Sequence, residues 1–209
     1  IAEHTDIAVI FSGEGSDELS GSYLYFKNAP SEDAFQEETV RLLKDLHYFD
    51  VLRTDKSTAA VGLEVRVPFL DAAFVREYMT VPPSVRMPRK GVEKYFLRKT
   101  FEDLLPAEIA WRTKEAFSDG VSHEGDSWYA TIQMYVKARM SRYAFEELQR
   151  TCDEPKPLLR ESAYYRQLFE KEYPGCAHLV PYYWVPKWCG DVADPSARVL
   201  DVYETSECK

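Results

Sequence analysis

Cysteine and histidine are scarce in this chain, and neither is spaced as a metal site requires. The four cysteines include no C-x-x-C pair, and the four histidines fall at no zinc-finger spacing. A structural metal is therefore not expected. The cysteines also provide no disulfide framework for a chain of 209 residues, which favours the reducing cytoplasm over secretion.

Long apolar runs and an excess of basic charge are missing as well. No stretch approaches the ~20 apolar residues of a membrane helix, and no charged start followed by an apolar run indicates a signal peptide. Lys and Arg total 26 against 35 Asp and Glu, which gives a formal net charge of -9. A surface this acidic repels a polyphosphate backbone. We therefore expect a cytoplasmic protein that binds neither membranes nor nucleic acid, although a local basic pocket could still take one small anion.

What is present suits one globular domain of the α/β class. Hydrophobic residues make up 45% of the chain and charged residues 29%, and 209 residues suffice for one sizeable core. The short, continuously apolar run Ile7–Phe11 predicts a strand buried on both faces of a parallel sheet. The chain reaches this strand without an initiator methionine, so we expect a segment of a longer protein.

Helical spacing of apolar residues dominates the rest of the sequence. A long amphipathic helix is predicted over residues 33–53, after a breaker at Pro30 and a cap at Ser31. Further helices are predicted at 71–80, 92–104, 124–149 and 161–173. The fold is therefore expected to be mostly helical.

The strongest local motif is the loop Ser12–Glu18, which follows the predicted strand directly. Ligands of open parallel sheets bind at the carboxyl ends of the strands. Gly13 and Gly15 allow a positive φ or a close approach of the backbone to a ligand, and Ser12 and Ser16 offer hydroxyl donors to phosphate oxygens. The loop could therefore hold a nucleotide, although it fits neither the Walker A motif nor the dinucleotide fingerprint.

Three of the five residues from 14 to 18 in this loop carry carboxylates: Glu14, Asp17 and Glu18. Beside a phosphate they would be repulsive unless a cation intervened, so Mg²⁺ or a lysine or arginine from elsewhere is implied. An ordinary acidic turn that begins a helix explains the same residues equally well. Both interpretations stay open on the loop alone.

A second cluster lies on the predicted long helix, where His47, Asp50 and Arg53 are three residues apart. They share one face, so Asp50 and Arg53 can form an i, i+3 ion pair. A surface pair is the ordinary interpretation. The functional one is that Arg53 presents its planar guanidinium to a carboxylate or phosphate.

The segment Gly62–Asp71 places Glu64 and Arg66 between apolar neighbours. Alternation would bury the apolar residues and bring the two charges together, and Asp71 suits a helix cap. Farther on, Lys114 lies between Trp111 and Phe117, before a Ser-Asp-Gly turn. Such a semi-apolar loop could hold an ammonium against developing negative charge, although a solvated loop lysine is the simpler alternative.

Taken in order, six blocks resemble the asparagine synthetase family across nearly the whole chain. The blocks are Phe11–Glu18, Gly21–Phe26, Gly62–Asp71, Trp111–Gly120, Tyr164–Glu170 and Asp194–Arg198. The resemblance implies the carboxy-terminal part of the synthetase domain of the glutamine-hydrolysing enzyme. It also implies the fold: the mostly helical portion of an adenine-nucleotide α-hydrolase-like domain, the Rossmann-like parallel-sheet fold of the PP-loop ATP pyrophosphatases.

The activity implied by this resemblance is that of a ligase that forms carbon–nitrogen bonds. The family converts aspartate, ATP and glutamine into asparagine, AMP, pyrophosphate and glutamate, through β-aspartyl-AMP and glutamine-derived ammonia. ATP and Mg²⁺ are the expected cofactors, and aspartate, ATP and ammonia the expected partners. A homodimer is an expectation for the full-length enzyme.

Residue by residue, the resemblance assigns the loop to the nucleotide. Ser12 and Gly13 match residues that contact ATP, Gly15 and Ser16 belong to the same nucleotide-binding loop, and Asp17 matches the carboxylate that helps to hold Mg²⁺-pyrophosphate. These positions agree with what the loop indicates on its own.

The resemblance also assigns catalytic roles. Glu14 matches a glutamate that forms or uses the acyl-adenylate and could act as base toward ammonia. Lys114 matches a lysine that neutralises charge on the phosphate and the tetrahedral intermediate, and Arg53 matches an arginine near the active site.

Two parts of the family pattern do not occur in residues 1–209. They are the glutaminase domain with its nucleophilic cysteine, and the Ser-Gly-Gly-x-Asp-Ser pyrophosphate loop. We therefore expect these residues on their own to be an incomplete enzyme. A non-catalytic binding or assembly fragment, and a β-lactam-forming synthetase of the same fold, remain alternatives.

Overall fold

The computed structural model describes residues 1–116 and 127–196, and the chain divides into two compact units. The first unit is Ile1–Thr113 and the second is Lys114–Lys209. Within the described ranges, no helix combines the length and the apolar character needed to cross a membrane.

A small parallel sheet lies in the first unit. Strand β1 (Val9–Phe11) pairs with strand β2 (Glu64–Arg66), with Val9 opposite Glu64 and Phe11 opposite Arg66. Because the strands are parallel, the chain between them must cross back over the sheet, and it does so through helices. Helices with a small parallel sheet are consistent with the predicted α/β class.

The predicted first strand exists but is shorter and more exposed than expected. It covers Val9–Phe11 rather than Ile7–Phe11, and burial on both faces is wrong, since Val9 is 40% and Phe11 78% exposed. Within residues 1–116 and 127–196 the sheet has two strands, and so narrow a sheet leaves side chains of its strands in contact with solvent.

The helices of the first unit are short apart from two. They are α1 (Ser16–Ser20), α2 (Glu32–Asp45), α3 (Asp50–Ala59), α4 (Ala72–Thr80), α5 (Pro83–Arg86), α6 (Tyr95–Thr100) and α7 (Ala107–Ala110), with 3₁₀ turns at Leu24–Asn28, Leu46–Tyr48 and Pro68–Leu70. The helix predicted at 71–80 is confirmed as α4. The caps at Ser31 and Asp71 are confirmed too, since each side chain accepts a backbone N–H of its helix.

Two helix predictions in this unit are corrected. The predicted helix 33–53 is two helices, because α2 ends at Asp45 and the backbone of Phe49 (φ -122, ψ -113) is not helical. The predicted helix 92–104 contracts to α6, because Lys94 takes a left-handed conformation directly before it.

The core of the first unit lies under α1 and α2. Phe26 and Phe35 are fully buried and meet edge to face at 5.3 Å between ring centroids. The carboxylate of Glu38 is also buried, and it accepts hydrogen bonds from the Tyr25 hydroxyl (2.7 Å) and the Arg41 guanidinium. These contacts join the 3₁₀ turn Leu24–Asn28, which lies after α1, to the longest helix of the unit.

Arg86 is a buried cation in the same unit. It is 1% exposed, and its Nε donates to the Val81 carbonyl at 2.8 Å while the guanidinium also donates to Gln36 on α2. It lies over the rings of Phe35 and Tyr78, at 5.6 and 5.9 Å. Burial lowers the pKa of Arg86. Its contacts join α2, α4 and α5.

The described part of the second unit is helical. Helices α8 (Trp128–Arg139), α9 (Arg142–Thr151) and α10 (Arg160–Glu172) are followed by a 3₁₀ turn at Ala177–Leu179. The prediction at 161–173 is confirmed by α10. The prediction at 124–149 is two helices instead, because Ser141 caps α9 by accepting from Ala144 N (3.1 Å), and residues 124–126 lie outside the described ranges. The unit's buried centre joins Val136, Met140 and Ala163.

Candidate functional site

The Ser12–Glu18 loop turns directly from β1 into α1. The Ser12 N–H donates to the Arg66 carbonyl (2.9 Å), so the loop begins where the two strands end. Gly15 has φ 82, and a Cβ built there would lie 2.2 Å from Leu70 Cδ2, so both the backbone conformation and the close approach require glycine. A Cβ at Gly13 would meet no atom within 4 Å, so packing does not require glycine there.

Glu14 is held by two groups on α3. Thr54 Oγ1 donates to Glu14 Oε1 at 2.8 Å, and Arg53 Nη2 donates to the same oxygen at 3.2 Å. Arg53 also lies 3.5 Å from Asp50 Oδ1, which confirms the predicted i, i+3 pair. Two of the predicted site residues, Glu14 and Arg53, are thus in contact although 39 positions separate them.

His47 does not join this cluster. It lies within the turn Leu46–Tyr48, which the non-helical Phe49 separates from α3, and its Nδ1 lies 3.1 Å from the Lys44 carbonyl oxygen. The shared helix face predicted for His47 with Asp50 and Arg53 is therefore wrong for His47, because the helix that would have aligned them is interrupted.

Asp17 is neutralised by a lysine from a distant part of the unit. Lys94 Nζ lies 2.7 Å from Asp17 Oδ1 and donates to Ser16 Oγ at 2.8 Å. The Ser22 hydroxyl donates to the same carboxylate. The loop's need for a cation was predicted, and the structure supplies two: Lys94 at Asp17 and Arg53 at Glu14.

Glu18, the third acidic residue of the loop, faces inward. It is 3% exposed, and the Tyr23 hydroxyl donates to it at 2.6 Å while lying 3.3 Å from Asp50 Oδ2. Burial raises the pKa of Glu18 to about 7, and the nearby charge of Asp50 adds to the rise. Glu18 is therefore an internal partner of Tyr23 and does not add charge to the loop surface.

Residues 27–188 match the family model described as "Asparagine synthase", and this range covers more than half of the chain.

The chain belongs to the asparagine synthase family. It is similar to "Asparagine synthetase [glutamine-hydrolyzing]" of Gallus gallus, with 50% identity over 208 residues, and to the proteins of the same name from Bos taurus and Homo sapiens, each with 49% identity. These similarities cover 99% of this chain and 37% of each relative. The chain thus spans a little over a third of the length of these relatives.

In this member of the asparagine synthase family, the acidic residues of the Ser12–Glu18 loop suit a Mg²⁺ ion that is shared with phosphate oxygens. Among the residues described, no group of three or more His, Cys, Asp or Glu side chains is arranged to hold a metal ion. An all-protein cage is thus not what this loop offers. Mg²⁺ is commonly held by one or two carboxylates together with phosphate oxygens, and Asp17, beside the hydroxyl of Ser16, suits such a shared site.

Lys114 is the first residue of the second unit and is half-buried. Phe117 and the Ser-Asp-Gly turn, which framed the sequence prediction, lie outside the described residues. The prediction for Lys114 therefore stays a prediction. Glu64 and Arg66 form an ion pair with each other, as predicted, and both are more than half exposed.

Sequence reasoning missed Lys94 and Thr54. Lys94 lies in a segment with two other residues of positive φ, Lys90 and Gly91, and this clustering of Lys and Gly was the available signal for an irregular loop. Thr54 is adjacent to Arg53 in sequence but projects from a different side of the helix. Its contact with Glu14 could have been predicted only if the orientation of α3 relative to the loop had been known.

Proposed function

We propose that this chain carries part of the ATP site and catalytic residues of the amide-forming site of glutamine-hydrolysing asparagine synthesis, on a Rossmann-like fold of the PP-loop ATP pyrophosphatase type. The observation that carries the proposal is the placement of Glu14, held by Arg53 and Thr54, in a glycine-containing loop directly after a parallel strand. The names of the relatives support asparagine as the product.

The nucleotide part of the proposal rests on the loop itself. Ser12 and Ser16 would donate hydroxyl hydrogen bonds to phosphate oxygens, and the open space beside Gly13 lets the backbone approach them. Lys94, which contacts Ser16 and Asp17, would add a positive charge at the same place. Asp17 would hold Mg²⁺, which neutralises phosphate charge when bound.

The chemical part assigns roles to Glu14 and Lys114. A β-carboxylate oxygen of aspartate attacks the α-phosphorus of ATP, and the bond to pyrophosphate breaks to leave β-aspartyl-AMP. Ammonia then attacks the acyl carbon, loses a proton, and expels AMP. Glu14, positioned by two hydrogen bonds, would accept that proton. The ammonium of Lys114 would stabilise the negative charge of the tetrahedral intermediate.

Two carboxylates near one another would compete for such a role unless their environments differed. Glu18 is buried and has a raised pKa, whereas Glu14 is paired with a guanidinium and partly exposed to solvent. Of these two carboxylates, Glu14 is therefore the one that can meet a substrate. Arg53 would hold it in place and balance its charge until the proton arrives.

The test is asparagine formation by the complete gene product, with ATP, aspartate and ammonium chloride supplied, so that glutamine hydrolysis is not needed. Glu14→Gln and Lys114→Ala should each lower kcat by ~10²-fold or more, the usual scale for a lone charge-stabilising group. Circular dichroism should show an unchanged fold.

Matched controls are Glu64→Gln, an exposed carboxylate at the start of β2, and Lys171→Ala, an exposed lysine of the second unit. Both should retain activity. Normal turnover by Glu14→Gln would remove Glu14 from the mechanism, and absence of any aspartate-dependent AMP release from the unmodified protein would refute the proposed function.

A further inference from the structure

Lys94 reaches the loop from a strained backbone. Its φ of 54 and ψ of 24 place it in the left-handed region, where residues other than glycine are uncommon, and it lies directly before α6. Such a conformation persists only when the surrounding structure holds it. A group that fixes this backbone therefore restricts where the Lys94 ammonium can lie.

Arg98 contacts the backbone on the N-terminal side of Lys94. Its Nε donates to the Glu93 carbonyl at 3.0 Å, and its Nη2 forms an ion pair with the Glu93 carboxylate. The two side chains are 15% and 5% exposed, so this pair is shielded from solvent. The Arg98 guanidinium thus contacts both the backbone carbonyl and the side chain of Glu93, the residue directly before Lys94.

The same guanidinium extends to a second segment. Arg98 Nη1 donates to the carbonyls of Ala110 (2.7 Å) and Arg112 (2.9 Å). The planar fork of arginine allows these contacts together with those to Glu93, and a lysine in its place could not make all of them. Arg98 therefore fixes the backbone before Lys94 against the end of the first unit.

We infer that Arg98 is a positioning residue for the nucleotide loop, acting through Lys94, whose ammonium it holds between Asp17 and Ser16. That the Ser12–Glu18 loop binds a nucleotide rests on the proposed function. The positioning of Lys94 does not, because it follows from contacts within the first unit, and the two claims are tested by separate measurements.

The first measurement is the rate at which Lys94 is acylated by an amine-reactive ester, followed by peptide mass spectrometry on the complete gene product. In the unmodified protein the ammonium bound to Asp17 should react slowly. In Arg98→Lys, which keeps a cation beside Glu93 and loses the fork, the Lys94 rate should rise about tenfold, which corresponds to ~1.4 kcal/mol. Lys99, on the same helix and 57% exposed, should react at an unchanged rate.

Arg86→Lys is the matched control. Arg86 is also buried and also donates to a backbone carbonyl, but it contacts Val81 and Gln36 rather than Glu93. It should leave the acylation rate of Lys94 unchanged. An equal rise in both variants, or no rise in Arg98→Lys, would show that Arg98 supports the fold only and would overturn the inference.

The second measurement is steady-state kinetics. Arg98→Lys should raise the KM for ATP about tenfold with a change in kcat of no more than about twofold, because Glu14 is untouched. The double variant Arg98→Lys, Lys94→Met should have nearly the same KM for ATP as Lys94→Met alone, since both substitutions remove the contact of the Lys94 ammonium with the loop. Additive effects would contradict a role through Lys94.

Two further outcomes are distinguishable. If Arg98→Lys does not fold, the double variant Glu93→Gln, Arg98→Gln replaces it, because removing both charges of the pair leaves neither buried and unpaired. The same rise in the acylation rate of Lys94 is expected in that double variant. If acylation changes as described but the unmodified protein makes no asparagine, the proposed function fails while the positioning of Lys94 by Arg98 stands.

Discussion

At the scale of single residues, Glu18 shows how burial can outweigh hydrogen bonding. The Tyr23 hydroxyl donates to Glu18 and favours its charged form, yet the loss of hydration is the larger effect and raises the pKa to about 7. Asp50, which also lies near the Tyr23 hydroxyl, opposes the charge further. Since one hydroxyl hydrogen cannot serve two carboxylates at once, a proton on Glu18 relieves the cluster.

This gives a pH dependence of stability with a definite sign. Between the ordinary pKa of 4.5 and about 7, the native state holds a proton on Glu18 that the unfolded state has lost. The free energy of unfolding therefore falls as pH rises through that window. Glu18→Gln should remove this slope and be more stable than the unmodified protein at pH 8, by up to about 3 kcal/mol.

Urea unfolding at pH 5 and pH 8 measures it, with Glu64→Gln as the exposed control. A Glu18→Gln variant that keeps the slope of the unmodified protein would assign that slope to other groups.

The site was predictable to the extent that its residues are close in sequence. The loop with Glu14 and Asp17, and the i, i+3 pair of Asp50 and Arg53, follow from local spacing. The contact of Lys94 with Ser16 spans 78 positions and depends on how α6 is placed in the unit, which no local pattern specifies. The need for a cation could thus be predicted and its identity could not.

At the scale of elements, Gly21 shows what ends α1. It caps the helix with φ 59, and a Cβ there would lie 2.4 Å from Phe35 Cε2. Gly62 also has a positive φ (74), but a Cβ there would meet nothing within 4 Å. Comparing substitutions at the two glycines therefore separates the cost of backbone strain from the cost of crowding the core.

Gly62→Ala should lower the free energy of unfolding by ~1–2 kcal/mol through strain alone. Gly21→Ala should lower it by ~2–5 kcal/mol, because overpacking against the buried ring of Phe35 adds to the strain. Denaturant unfolding of both variants under the same conditions measures the difference. Equal losses would mean that the ring of Phe35 moves aside at little cost.

Helices were predicted well where one continuous stretch of helically spaced apolar residues corresponds to one helix, as for α4 and α10. The two long predictions were each interrupted. Apolar spacing continues from α2 to α3 and from α8 to α9, so it does not reveal the non-helical backbone at Phe49 or the new start at Ser141. A serine inside an apolar pattern is a cap signal, and it was the available clue at Ser141.

At the scale of the whole molecule, the sequence indicated the family and the α/β class but not the division into two units. The boundary after Thr113 falls inside a block that resembles the family, between Trp111 and Gly120, so motif continuity concealed it. Burial of β1 was also mispredicted, because apolar composition does not state how many strands flank a strand.

The contact between Gly15 and Leu70 has a consequence for how this sequence can vary. The two positions lie 55 apart, yet the loop after β1 rests on the turn after β2 so closely that one methyl group at position 15 would overlap Leu70. Substitutions there are therefore epistatic. Leu70→Ala makes room for Gly15→Ala, and although the positive φ stays unfavourable, the double variant should be more stable than the sum of the single effects by ~1–2 kcal/mol.

A double-mutant cycle of unfolding free energies measures this coupling, and strict additivity would contradict it. If the coupling holds, the order of substitutions matters: a larger residue at position 15 is accessible only after position 70 has become smaller. The residues tolerated in the Ser12–Glu18 loop would then depend on the turn Pro68–Leu70, which contacts no substrate in the proposed mechanism.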